Sequence, residues 1–313
     1  ELSEQLQATL SLEDVIESTL QGSVSVIGSA IAPLIVEKLG RQDAASYQTL
    51  GAIYGAFVFL IMMTTFVGTS AARMTEVDET SQHTPIREQL AAVLANKPFM
   101  MMVGIKVLQF VALSASGATT AFFVVMVLKH DFSLMSKLAS ATIISTVLFI
   151  PVFRWLGQYI TKRTGLAVGI IGEVFATLTW LLATPEDSDA FFIARGILAG
   201  IFSSAILLYG QAMWLDTIDY DRERTGLRRE GMYTSIYVFI ERLGYSMGPL
   251  LLGELLQMMH FDKNLPLEKQ PASAELAVTL SLVGIPALAY GLGLLFLYFY
   301  RLPDDLGRSQ TAR

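Results

Sequence analysis

The feature that most constrains this chain is a series of apolar blocks, each about as long as a bilayer is thick. A hydrocarbon core about 30 Å deep is crossed by roughly 20 helical residues. Eight stretches reach that scale, at about 18–39, 47–68, 98–128, 135–160, 166–184, 190–214, 231–260 and 277–300. Lipid offers no partner to a free N–H or C=O, so each block is predicted to be a helix. Polar punctuation separates the blocks, as at Gly40-Arg41-Gln42-Asp43, Lys129-His130-Asp131, Thr184-Pro185-Glu186-Asp187 and the stretch from Asp262 to Pro271. Composition agrees. Of 313 residues 53% are hydrophobic and only 16% charged, with a mean hydropathy of +0.51. A soluble domain carries about 25% charged residues. The expected fold class is an all-α, multi-pass membrane protein.

The longest polar stretch, about Ser70 to Lys97, divides the spans two and six. The organisation expected is 1–68 as the end of one bundle, 69–97 as a linker, 98–302 as a six-helix bundle and 303–313 as a tail. Lysine and arginine set the orientation. Arg73, Arg87, Lys97, Arg154, Lys162, Arg163, Arg222, Arg224, Arg228, Arg229, Arg301, Arg308 and Arg313 fall on one side, thirteen in all. The other side has six: Lys38, Arg41, Lys129, Lys137, Lys263 and Lys269. The richer side is expected to be cytoplasmic, with both termini and the linker, and Asp262–Pro271 periplasmic. The chain starts at Glu1, and no charged n-region precedes a short apolar stretch. No signal peptide is expected, and the start reads as an internal position in a longer protein.

Several function classes are disfavoured. There is no cysteine, hence no disulfide, thiolate metal site or thiol nucleophile. A net charge of −6 without a basic aromatic stripe argues against nucleic acid as a partner. His83, His130 and His260 fall in loops or at a span end, and no HExxH or GxSxG occurs, so an embedded enzyme is not expected. Gly165/Gly169, Gly196/Gly200 and Gly244/Gly248 are spaced four apart, as close helix contact in lipid requires. Pro151, Pro249 and Pro286 lie within spans, as tolerated kinks or as bends lining a site.

Ionisable residues inside spans are costly and mark function by default. They are Lys106, Glu173, Arg195, Glu241, Arg242 and Glu254. Arg195 and Glu254 lie near a surface and can snorkel. Arg242 lies about 16 Å along its helix, near mid-membrane, with Glu241 beside it. A guanidinium keeps its proton and must find a carboxylate, carbonyls or water. Tyr233, Tyr237 and Glu241 line the adjoining face. This Tyr-rich charged wall suits a polyhydroxylated ligand, and a buried Arg–Glu pair holding helices together is the alternative. Candidate substrate residues are therefore Arg242, Tyr237, Glu241 and Tyr233, with Glu173 and Lys106 as further intramembrane charges.

The segment Asp216–Gly231, placed after the sixth span, is dense in both charge signs. Carboxylates at a helix C-terminus are not favoured by the macrodipole. Asp216, Asp219, Arg228, Arg229 and Glu230 are accordingly expected to form ion pairs that latch helices on the cytoplasmic side. A solvated loop is the alternative.

The run Gln211-Ala212-Met213-Trp214-Leu215-Asp216-Thr217-Ile218-Asp219-Tyr220, followed by Thr225-Gly226-Leu227-Arg228-Arg229-Glu230-Gly231, resembles the signature of the glycoside-pentoside-hexuronide:cation symporters. Asn96-Lys97-Pro98-Phe99 and the closing Phe299-Tyr300-Arg301-Leu302 are similar as well. The resemblance implies a major facilitator-type bundle. The eight helices would be the fifth to twelfth of twelve, with the cation-binding residues in the first four. It implies cation-coupled symport, by Na+ or H+, of a sugar or glycoside in a bacterial inner membrane. The partners implied are a small-molecule substrate and membrane lipid, with no resident cofactor or metal. Two departures stand out. Arg242 occupies a place where the family commonly has lysine, and Glu17 stands near the position of a sugar-contacting arginine. A carrier of a lysolipid or a uronate, or a non-transporting membrane scaffold, is the alternative.

Overall fold

The computed structural model describes residues 44–69, 85–131, 133–227 and 229–302. The expected span at 18–39, Glu17, residues 70–84 of the expected linker, Arg228 and the tail lie outside the described residues. Nine α-helices occur among the described residues, and no strand. They are α1 (Ala44–Thr69), α2 (Ile86–Leu94), α3 (Lys97–Phe122), α4 (Ser133–Leu156), α5 (Lys162–Leu178), α6 (Asp189–Thr225), α7 (Glu230–Met258), α8 (Ala272–Thr279) and α9 (Ile285–Phe299). A π-helical turn, Phe123–Val127, extends α3, and another, Leu280–Gly284, joins α8 to α9 into one rod. The all-α membrane class is thus the observed one.

Six of these rods are long and apolar enough to cross a membrane: Gly51–Gly68, Lys97–Val127, Ser133–Leu156, Lys162–Leu182, Asp189–Thr225 and Ala272–Phe299. The 29-residue α7 is long enough but is not among the six. Glu241, Arg242 and its tyrosines lower its hydropathy, which is a first sign that it serves more than anchoring. Large apolar side chains such as Leu148, Phe175, Phe239 and Leu288 are exposed, as a lipid-facing surface requires.

Local chemistry explains the helix ends. The Asn96 side chain accepts from the Phe99 amide at 3.2 Å, and Pro98 occupies the first turn of α3. Thr161 caps α5 in the same way through the Thr164 amide. The largest correction concerns α6. The sixth span was expected to end near residue 214, yet the helix continues to Thr225. Gly226, at φ +69°, supplies the left-handed residue that stops it, and Arg222 and Arg224 in the last turn complement the helix dipole. Asp216 and Asp219, expected at the helix end, therefore lie within the helix. The expected linker also holds structure, since α2 forms within it.

In the bundle α3 packs against α7 and α9, α6 against α4 and α5, and α9 also against α5. The glycine pairs lie at these contacts. A Cβ on Gly169 would stand 3.0 Å from Ala205 and Ile206 of α6. One on Gly244 would meet Phe110 of α3 at 2.5 Å. Thr142 and Thr146 of α4 donate to the carbonyls of Gly196 and Gly200, each at 3.1 Å. Close backbone approach and interhelical hydrogen bonds act together there.

Candidate functional site

Lys106 is the centre of the candidate site. It lies nine residues into α3, about 14 Å along the helix, and is only 1% exposed. Its ammonium reaches Gly210 of α6, where a Cβ would lie 3.2 Å from Nζ, so the glycine makes room for the charge. Across α7, Nζ stands 5.9 Å from the centre of the Tyr237 ring, and Glu241, one turn further on, is its electrostatic partner. Among the described residues Lys106 makes no hydrogen bond or ion pair within contact distance. A desolvated ammonium held, among the described residues, by a ring and a carboxylate field is expensive, which makes it a candidate for function.

Tyr237 ties the elements together. Its hydroxyl donates to Gln211 Oε1 of α6 at 3.4 Å. Its ring meets Trp214 edge-on at 4.9 Å and Phe110 at 5.8 Å. Tyr245, two turns along α7, also packs against Phe110, with ring centres 5.5 Å apart. Gln211 and Tyr245 are exposed and Glu241 is half-buried. Helices α3, α6 and α7 thus present hydrogen-bonding groups of both polarities beside aromatic rings at mid-depth. Such a wall can bind hydroxyls and stack against a ring.

The structure sorts the candidate residues. Tyr237 and Glu241 share the cluster with Lys106. Tyr233 does not. It is fully buried, its ring edge-on to Phe99 at 4.6 Å, and its hydroxyl accepts from Asn96 Nδ2 at 3.0 Å. Arg242 is exposed and, among the described residues, makes no ion pair or hydrogen bond. It does not form the buried Arg–Glu pair that was the alternative, because successive helical residues point about 100° apart. Ser235 and Ser246 of α7 turn their hydroxyls onto the Gly231 and Leu243 carbonyls of their own helix. Glu173 finds partners elsewhere: Ser203 donates to it at 3.3 Å, and Tyr290 of α9 lies in its field. Arg195 is bonded to Asp187 at 3.2 Å and lies 5.8 Å from both Trp180 and Phe192.

The expected latch residues are paired differently from the expectation. Asp216 of α6 accepts from Lys162 of α5 at 2.7 and 2.8 Å. Arg229 pairs at 3.2 Å with Asp221, which sequence reasoning passed over. Asp221 is 1% exposed and the Arg229 side chain 9%, so this is a buried pair at the junction of α6 and α7. Asn96 Nδ2 adds a bond to the Thr217 carbonyl at 3.1 Å, tying the start of α3 to the same junction. Asp219 and Glu230 form no ion pair among the described residues, and Arg228 lies outside them. The signal for Asp221 was periodicity. Trp214, Thr217 and Asp221 recur on one buried face once the helix is taken to extend past residue 214.

Residues 11–304 match a family profile described as MFS/sugar transport protein. An uncharacterized symporter of Synechocystis sp. is 25% identical over 240 residues, which is 74% of this chain and 44% of the relative. The isoprimeverose transporter of Lactiplantibacillus pentosus is 22% identical over 297 residues, covering 93% and 60%. The sphingosine-1-phosphate transporter MFSD2B of Xenopus tropicalis is 29% identical over 177 residues, covering 56% and 33%. The chain therefore spans about half the length of the curated relatives it matches.

Proposed function

The chain belongs to the MFS/sugar transport protein family, and from that membership we propose that it works in a secondary active transporter carrying a sugar or glycoside by alternating access. It is a multi-pass inner-membrane protein, and its family consists of transporters rather than enzymes. We infer coupling to Na+ or H+, a reading supported by the relative named as a symporter.

The observation that carries the proposal is the convergence of Lys106, Gln211, Tyr237 and Glu241 from three helices at mid-depth. Carriers of this architecture bind near the bilayer midplane, where two repeats of helices meet. Tyr237, Gln211 and Glu241 bond hydroxyls, the exposed Tyr245 offers an apolar ring face, the buried Trp214 and Phe110 back Tyr237, and exposed Arg242 extends the wall outward. The cytoplasmic pairs Lys162–Asp216 and Arg229–Asp221 hold α5, α6 and α7 at one end of that wall and bias one access state.

The test is uptake of labelled sugars and glycosides by cells making the intact protein, with folded protein in the membrane measured separately. Tyr237→Phe and Lys106→Gln are expected to lower uptake at least tenfold with folded protein retained. Arg242→Lys keeps part of the uptake and Arg242→Gln loses it. Parallel loss of folded protein and uptake would show these residues to be structural. Uptake that survives collapse of both ion gradients would exclude coupling.

A second reading is favoured by one finding, the similarity to a transporter named for an amphiphilic phosphate. A cation set among aromatic rings suits a lysolipid headgroup as well as a uronate. Competition of sugar uptake by a lysolipid separates the two substrates.

A further inference from the structure

A groove of about 690 Å³ opens on the surface between the start of α3 and the end of α9. Its walls are apolar: Met101 from α3, and Leu295, Phe296 and Phe299 from α9. Leu295 and Phe299 are more than half exposed. Phe296 forms a fixed floor, because its ring lies where a side chain on Gly104 would be, 2.7 Å from an ideal Cβ. The rim is cationic, with Lys97 on one lip and Arg301 on the other.

Both rim residues are exposed, and among the described residues neither has an ion pair or hydrogen bond. Ion pairs elsewhere in the bundle, such as Lys162–Asp216 and Lys129–Glu275, show cations with carboxylates at hand. Among the described residues no carboxylate lines this groove. A third cation lies close by, since Arg163 donates to the Tyr298 carbonyl on the same last turn of α9 at 2.8 Å. Apolar walls running along the spans, topped by exposed cations at their end, match one chemistry: acyl chains below an anionic headgroup.

We propose that this groove binds an anionic glycerophospholipid, its acyl chain along Met101, Leu295, Phe296 and Phe299 and its phosphate between Lys97 and Arg301. The lipid packs α3 and α9 together at the end of the bundle that also carries the Lys162–Asp216 and Arg229–Asp221 pairs. This site is separate from the mid-depth cluster and does not depend on what that cluster carries.

Native mass spectrometry of the full chain in detergent tests it. The probes are phosphatidylglycerol, phosphatidylcholine with the same acyl chains, and inorganic phosphate. Phosphatidylglycerol is expected to be retained at least tenfold better than phosphatidylcholine. Lys97→Gln with Arg301→Gln lowers its retention by about fivefold for each charge removed, leaving phosphatidylcholine unchanged. Lys97→Arg with Arg301→Lys restores the preference. Equal retention of the two lipids, or a preference untouched by the glutamine pair, overturns the proposal. So does displacement by inorganic phosphate, which would mark a free-anion site, or a dimer that excludes lipid. Should the glutamine pair fold poorly, the ratio of the two lipids on the unaltered chain decides alone.

Discussion

Ser114 of α3 donates a 2.6 Å hydrogen bond to the carbonyl of Tyr245 in α7. That carbonyl would ordinarily accept from the amide four residues on, but position 249 is proline and has no N–H. The Ser114 oxygen also accepts from the Gly248 amide at 3.1 Å. One hydroxyl from a neighbouring helix thus satisfies the backbone that Pro249 disrupts, in a region where lipid cannot. Ser114→Ala is expected to destabilise the bundle by about 1 kcal/mol, read as a lower thermal midpoint in detergent. In a Pro249→Ala background the Tyr245 carbonyl regains its own N–H, so the serine substitution should cost less. An equal loss in both backgrounds would refute this account of the proline.

The glycines divide into those that packing requires and those it does not. A Cβ on Gly200 would collide with Ser145 Oγ and the Thr142 carbonyl, both part of or fixed to the α4 backbone. Gly253 in α7 has nothing within 4 Å of the same position. Gly200→Ala should cost about 1–3 kcal/mol through overpacking. Gly253→Ala should be neutral or stabilising by up to about 1 kcal/mol, the difference in helix propensity. Thermal unfolding of the two variants side by side checks the ordering, and equal midpoints would contradict it.

The two ion pairs at the shared end of α5, α6 and α7 should differ in weight. Arg229–Asp221 is nearly sealed, whereas the Lys162 and Asp216 side chains are 52% and 28% exposed. Removing one member of a buried pair strands the other charge, at about 3–5 kcal/mol. An exposed pair contributes about 0–1 kcal/mol. Asp221→Ala is therefore expected to deplete folded protein, and Asp216→Ala to leave the fold intact while altering transport. The swap Lys162→Asp with Asp216→Lys should recover transport lost in either single change. Unchanged transport in the single variants would dismiss the latch.

Asp187, in the loop between α5 and α6, is held below the usual carboxylate range. The Thr184 amide donates to it first, with the Thr184 hydroxyl and Arg195 adding to the effect. A depressed carboxylate contributes stability that is present above its unfolded pKa and lost as pH falls through the folded value. The acid limb of a melting profile, below about pH 4, should therefore flatten in Asp187→Asn. A variant profile parallel to the unaltered protein over that range would show that Asp187 contributes nothing to it.

Sequence alone determined what lipid enforces. Apolar length and the lack of backbone partners in hydrocarbon dictated helices, and α3, α4, α5, α7 and the α8–α9 rod lie within a few residues of the blocks predicted. The cost of charge in lipid also marked Lys106, Glu241 and Glu173 before any coordinates. Partnership was decided only by tertiary structure, because an ionisable residue advertises its cost but not its neighbour. Tyr233 and Tyr237 sit one turn apart on the same stripe, yet one is sealed against Phe99 and Asn96 while the other opens toward Lys106 and Gln211. Asp221 was hidden because the end of α6 was read from hydropathy. That helix is stopped by the left-handed Gly226 and held by contacts to α3, α5 and α7 long after its apolar stretch has ended. The pairing of Arg229 with Asp221, and the burial that gives the pair its weight, exist only once helices distant in sequence have packed.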